Sequence, residues 1–109
     1  MDDKEQELAL LVAKDLKDIT PTEVEAEFKK QSKHGKSKGF LEIFTVVGLL
    51  VRLVRFAVQF WTSGTTEQQL IAALEATAAS ADRIDKKKRD EIIDLIVVQL
   101  KQWRCLNSA

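Results

Sequence analysis

The sequence predicts an all-α domain, a small bundle of four to five helices around a central apolar helix at about residues 40–62. One proline and four glycines among 109 residues leave long stretches free of helix-breaking residues. Within those stretches apolar residues recur three and four positions apart, which is the helical period. The length and a composition of 45% apolar and 31% charged residues fit a single domain, 1–109, with one modest core.

The first two helices are predicted at residues 3–18 and 21–32. In the first, the apolar residues share one stripe, formed by Leu8, Leu11, Val12, Leu16 and Ile19. The second starts at a capping box. Thr20 can accept a hydrogen bond from the Glu23 amide while Glu23 reaches back to the Thr20 amide, and Pro21 suits the first helical position because no donor is needed there.

The third helix, 40–62, is the most apolar element. Its polar residues gather on an arc of roughly 100°, and they are Thr45, Gly48, Arg52, Arg55, Gln59 and Thr62. Adjacent apolar residues such as Val46 and Val47 break the alternation that a half-buried strand requires. A helix that is apolar over roughly 260° exceeds what packing on one side needs. We therefore expect either that the other helices surround it or that a second molecule covers part of it.

The fourth and fifth helices are predicted at 66–79 and 82–105. Thr65 is the expected N-cap of the fourth helix, with Gln68 as its reciprocal partner. The fifth helix has a broad apolar face that includes Ile92, Ile96 and Leu100. Residues 92–98 are also compatible with a strand because they are rich in β-branched residues, and the sequence leaves that alternative open.

Charge is balanced over the chain but uneven along it. Residues 1–27 carry nine acids and three bases, 28–62 carry one acid and seven bases, and 63–109 carry seven of each. Neutral overall charge gives no general reason to expect nucleic acid or an anionic membrane as partner. The single cysteine, Cys105, cannot form an internal disulfide, and the acidic N-terminus lacks the features of a secretory signal. These features predict cytoplasmic residence and leave the role of Cys105 open.

No motif in the sequence carries a recognisable enzymatic chemistry. One histidine and one cysteine without spaced partners cannot form a zinc site, so no metal and no cofactor is expected. Asp90 and Asp94 share a helix face, but Lys86, Lys87 and Lys101 lie close enough to form a surface ion-pair lattice with them. The chain is therefore predicted to be non-enzymatic.

The sequence instead predicts a protein–protein interaction module with an adaptor, regulatory or assembly role. Self-association through the apolar helix 40–61 is the expected mode, because aromatic residues suit interface anchors. The residues predicted to form this interface are Phe56, Phe60, Trp61, Arg52 and Arg55. The competing interpretation is that the aromatic residues only fill the core.

Two alternatives belong to other classes of function. Helix 40–61 would reach about 33 Å, enough to cross a bilayer, but Arg52 and Arg55 offset the gain from its apolar residues. A membrane-active domain remains an alternative that is not favoured. The basic segment 29–38 predicts at most non-specific phosphate or nucleic-acid binding through Lys33, Lys36 and Lys38, because it lacks arginine and aromatic residues for base recognition.

Overall fold

A computed structural model describes residues 3–34, 45–61 and 64–107, with side chains for 4–31, 45–61 and 64–102. These residues contain five helices, α1 (Asp3–Asp15), α2 (Pro21–His34), α3 (Val46–Phe60), α4 (Glu67–Ala78) and α5 (Lys86–Asn107), and no strand. The predicted all-α bundle is therefore confirmed. Residues 92–98 are helical, so the strand alternative is wrong.

Helix α3 is the centre of the bundle and contacts all four other helices. The outer helices form an open ring in the order α2, α1, α5, α4, and α2 does not meet α4 within the described residues. The α3 side chains with no solvent exposure are Leu49, Leu50, Val51, Leu53, Val54 and Ala57. Of the two ways to cover this helix, enclosure by its own chain thus accounts for most of its apolar surface.

Helix α1 ends at Asp15 and not, as predicted, at residue 18. Its last turn is tightened by backbone hydrogen bonds from Leu16 N–H to Ala13 O (3.0 Å) and from Ile19 N–H to Leu16 O (3.3 Å). Both Leu16 and Ile19 are buried by this turn. The chain therefore leaves the helix in a turn that keeps both apolar side chains in the core.

Helix α2 begins at the predicted capping box. The Thr20 N–H donates to Glu23 Oε1 (3.0 Å), and the Glu23 N–H donates to Thr20 Oγ1 (3.2 Å). The helix runs to His34 and not only to residue 32, so Lys33 and His34 have helical backbone and do not start the loop. A lysine in the last turn favours this extension because its charge complements the negative end of the helix dipole.

Helix α3 begins at Val46, later than the predicted start at residue 40. Its N-cap is Thr45, whose backbone is extended (φ −119°, ψ 153°) and whose side chain accepts a hydrogen bond from Gly48 N–H (3.0 Å). A threonine cap satisfies an amide that has no partner inside the helix, which is why the helix starts there. Residues 40–44 and 62 of the predicted helix lie outside the described residues.

The cap of α4 lies one residue after the predicted one. Thr66, not Thr65, is the N-cap, and its reciprocal partner is Gln69, not Gln68. The Thr66 N–H donates to Gln69 Oε1 (3.0 Å), and the Gln69 N–H donates to Thr66 Oγ1 (3.1 Å). Two overlapping capping boxes occur in this segment, and both satisfy the local pattern. The register adopted is one in which Leu70 is fully buried.

This register gives a direct test. We expect Thr66→Ala to lower the free energy of unfolding by about 0.5–2 kcal/mol, because it removes a helix cap. The matched variant Gln68→Ala changes an exposed residue outside the cap, and its effect should stay within about 0.5 kcal/mol. Urea denaturation of both variants measures the difference. A larger effect at Gln68 than at Thr66 would contradict the observed cap.

Helix α5 begins at Lys86, four residues after the predicted start at residue 82. Two turns precede it, closed by hydrogen bonds from Ala81 N–H to Ala78 O (2.9 Å) and from Ile84 N–H to Ala81 O (3.1 Å). They bury Ala81 and Ile84, and this burial explains why the helix starts late. Along α5 the buried residues keep the helical period, and they are Ile92, Ile93, Ile96, Val97 and Leu100.

Candidate interaction surface on the central helix

One face of α3 is accessible over the second half of the helix. Its residues are spaced at i, i+3, i+4, i+7 and i+8, which places them on one side of a helix. We call this face the α3 stripe, and it consists of Arg52, Arg55, Phe56, Gln59 and Phe60. Gln59 and Phe60 are exposed and the other three are half-buried. Four of the five residues predicted for the interface thus lie together.

An aromatic pair forms the apolar part of the α3 stripe. The rings of Phe56 and Phe60 are stacked, with centroids 5.4 Å apart and planes inclined by 15°. Phe56 packs against the core, whereas Phe60 is 38% exposed. Such stacking holds both rings in place. The stripe therefore presents an apolar side chain whose position is supported by its neighbour.

Arg55 and Gln59 are tied to α1 through a buried carboxylate. The side chain of Glu5 is only 8% exposed, and its Oε1 lies 3.5 Å from Arg55 Nε. Gln59 Nε2 donates to the other oxygen, Glu5 Oε2, at 3.3 Å. A buried carboxylate requires partners of this kind because its desolvation is otherwise uncompensated. Arg55, which is 30% exposed, therefore has a structural role as well as a place on the surface.

Glu5 was not among the residues singled out from the sequence, although a signal for it exists. On a helix it shares a face with Leu8, Ala9 and Val12, all of which are buried. A carboxylate on an apolar helix face calls for a partner on a neighbouring helix. The sequence does not say which of the basic residues that partner is, because the pair is separated by 50 positions along the chain.

Arg52 differs from Arg55 in its surroundings. It is half-buried, and its guanidinium forms no ion pair or hydrogen bond with the described side chains. Burying part of the arginine stem on the helix surface leaves the charged group available to solvent or to a partner. Arg52 is therefore the arginine of the α3 stripe whose charge no described residue neutralises.

Trp61, the fifth predicted interface residue, lies off the α3 stripe. It is the C-cap of α3, with φ −72° and ψ 119°, and its backbone N–H donates to Ala57 O at 2.9 Å. Its side chain is half-buried and packs against the core. The competing interpretation, in which an aromatic residue contributes to the core, thus describes Trp61 better than it describes Phe60.

The end of α2 lies beside the first half of α3. Gln31 is buried, and its Nε2 donates to Gly48 O (3.0 Å) and to Glu27 Oε2 (2.9 Å). Gly48 belongs to the polar arc predicted for this helix, but it is buried because α2 covers it. Lys29 and Lys30, in the same part of α2, are exposed. The part of α3 that precedes the α3 stripe therefore lies beside a part of α2 that carries exposed lysines.

The predicted anion-binding lysines can be placed only in part. Lys33 lies in the last turn of α2, and its side chain is outside the described residues, as are Lys36 and Lys38 altogether. Cys105 has helical backbone in α5, and its side chain is likewise not among those described.

A shallow groove of about 310 Å³ lies between the end of α4 and the start of α5. Two contacts involve its charged residues: Lys86 Nζ lies 3.0 Å from Asp90 Oδ2, and Arg89 Nη1 donates to the backbone oxygen of Ala78 (3.2 Å). The predicted ion-pair lattice is thus confirmed for Lys86 and Asp90. These contacts stabilise a helix junction without bringing together an acid, a base and a nucleophile.

Lys88 links the start of α5 to the turn that follows α1. Its Nζ lies 3.0 Å from Glu91 Oε1 and 3.5 Å from Asp18 Oδ2. The hydrogen bond to Glu91, together with the charges of both acids, outweighs desolvation and raises the pKa of Lys88 above its ordinary value. The carboxylates of Glu91 and Asp18 thus offset the cost of placing a lysine at the positive end of a helix dipole.

Two further findings concern the classes of function weighed from the sequence. Within the described ranges, no group of three His, Cys, Asp or Glu side chains is placed to hold a metal ion. None of the described helices combines the length and the apolar character needed to cross a bilayer.

Comparison of the chain with protein-family models, curated proteins and solved structures gave no significant match. The α3 stripe is therefore interpreted from its own chemistry.

Proposed function

We propose that this chain is a non-catalytic protein–protein interaction module that binds its partner through the α3 stripe. The observation that carries this proposal is the stacked pair of Phe56 and Phe60, which directly follows Arg52 and Arg55 on the same face of the central helix. Aromatic residues and arginine are enriched among the residues that dominate binding energy at protein interfaces. An exposed phenylalanine gains free energy when a partner removes it from water.

The position of the stripe also supports this proposal. A binding surface on a helix that four others hold in place loses little conformational freedom when a partner docks, so more of the contact energy remains as affinity. Near the groove between α4 and α5, by contrast, Lys86 and Asp90 form an ion pair and Arg89 donates to a carbonyl at the end of α4. A binding role therefore uses the chemistry of the surface better than a catalytic role does.

Site-specific photo-crosslinking tests the proposal. In the native host, Phe60 is replaced by p-benzoylphenylalanine, and the adducts formed on illumination are identified by mass spectrometry. We expect one defined protein adduct, because a partner docked on the stripe would contact position 60. The matched control places the same probe at Val98, an apolar residue on α5 that is 49% exposed.

The outcome separates the possibilities. A defined adduct that forms at position 60 but not at position 98, and that Arg52→Gln weakens, supports the proposal. An adduct with a second copy of the chain would identify the partner as self, as first expected from the sequence. Failure to form any protein adduct at position 60, or an identical set of adducts at both positions, would refute an interaction role for the stripe.

A further inference from the structure

We infer that the partner surface is an acidic amphipathic helix; this inference rests on the function proposed above and specifies its partner. The first reason is the charge around the α3 stripe. Two acids that the structure describes beside it are already bonded, Glu5 to Arg55 and Gln59, and Glu27 to Gln31. The cation of Arg52 has no such partner among the described residues.

The end of α2 adds to this positive charge. The hydrogen bond from Gln31 to Gly48 O fixes α2 one helical turn before Arg52 along α3, and α2 carries the exposed Lys29 and Lys30 in the same region. Positive potential steers and orients a partner of opposite charge and disfavours one of like charge. Charge complementarity therefore selects a partner with carboxylates beside its apolar contacts.

The shape of the stripe selects a helix. Arg52, Phe56 and Phe60 follow one another at intervals of four residues and extend over about 12 Å. A partner helix of a few turns presents its own side chains at the same repeat, so that apolar residues can pack on the two rings while a carboxylate reaches Arg52. The recognition mode is thus helix against helix, with an aromatic anchor and an ion pair at one end.

Two other occupants fit the surface less well. A second copy packed stripe to stripe would bring two Arg52 cations, which the described residues do not neutralise, into one small interface, and like charges there oppose association. Single-stranded nucleic acid would match the positive charge, but it needs aromatic faces on which bases can stack. The Phe56 and Phe60 rings stack on each other, so the ring faces between them are not available to a base.

The inference is tested by fluorescence anisotropy with a labelled helical peptide of about five turns, in which glutamates flank a leucine stripe. The comparison peptide carries lysine in place of each glutamate. We expect the full chain to bind the glutamate peptide more tightly than the lysine peptide, with affinity falling as salt is added. Arg52→Gln and Phe60→Ser should each weaken binding about ten-fold or more.

Matched controls exist on α5. Lys87→Gln removes an exposed cation, and Val98→Ser removes an exposed apolar side chain, both away from the α3 stripe. Each should change affinity less than about two-fold. A charge reversal provides the sharpest comparison, since Arg52→Glu should make the chain prefer the lysine peptide over the glutamate peptide.

Several results would overturn the acidic-helix inference. These are equal binding of the two peptides, an unchanged preference in Arg52→Glu, competition by oligo(dT), and a dimer in sedimentation that Phe60→Ser dissociates. Any of them, combined with a defined adduct at position 60 in the crosslinking experiment, would leave the interaction role standing and reject only this partner. The absence of that adduct would reject the role itself.

Discussion

Leu53→Ala is expected to lower the free energy of unfolding by about 2–5 kcal/mol, the largest effect among the substitutions considered. Leu53 lies on α3 and has no solvent exposure. Its removal costs both the transfer free energy of the lost methyl groups and a cavity that the surrounding helices cannot fully close. Since domains of this size are stable by about 5–15 kcal/mol, much of the stability of the bundle would be lost.

Urea denaturation followed by circular dichroism measures this effect, with Val98→Ala as the matched control. Val98 is also aliphatic and helical but is 49% exposed, so its truncation should change stability by less than about 0.5 kcal/mol. Equal losses from the two variants would contradict the position of α3 at the centre of the bundle. A large loss at Leu53 alone would support enclosure of α3 by its own chain.

Arg55→Met is expected to lower the free energy of unfolding by about 1–3 kcal/mol. The substitution keeps an apolar stem but leaves the buried Glu5 carboxylate with Gln59 as its hydrogen-bond partner. The value is below that for a fully buried pair because Arg55 is 30% exposed and water can replace part of the lost interaction. Arg52→Met is the control. It breaks no ion pair with the described residues, so it should change the free energy of unfolding little.

A double-mutant cycle completes this test. Glu5→Leu combined with Arg55→Met removes the carboxylate together with its partner, so the double variant should be more stable than the sum of the single changes predicts. Additive effects would show that Glu5 and Arg55 do not interact in solution. Loss of Arg55 is expected to alter folding as well as the surface. Arg52, not Arg55, is therefore the arginine to change in binding experiments.

Local sequence signals account for much of the fold. The capping box at Thr20 and Glu23 lies within four residues, and the structure has both of its hydrogen bonds. The helical spacing of Ile92 and Ile96 identified an apolar face that is indeed buried. Grouping by spacing likewise placed Arg52 and Phe60 on neighbouring parts of one helix. Signals of this kind need only the geometry of a single helix, so the amino-acid sequence alone determines them.

Contacts between distant residues decided the rest. The choice of Thr66 over Thr65 as a cap, the enclosure of Leu53 and the pairing of Glu5 with Arg55 all depend on where the helices meet. Overlapping signals such as the two caps differ little in local free energy, and burial against another helix selects between them. The sequence by itself thus determined which segments are helical and which faces are apolar. Tertiary packing alone decided which of those faces remain open, because solvent exposure depends on neighbours far away along the chain.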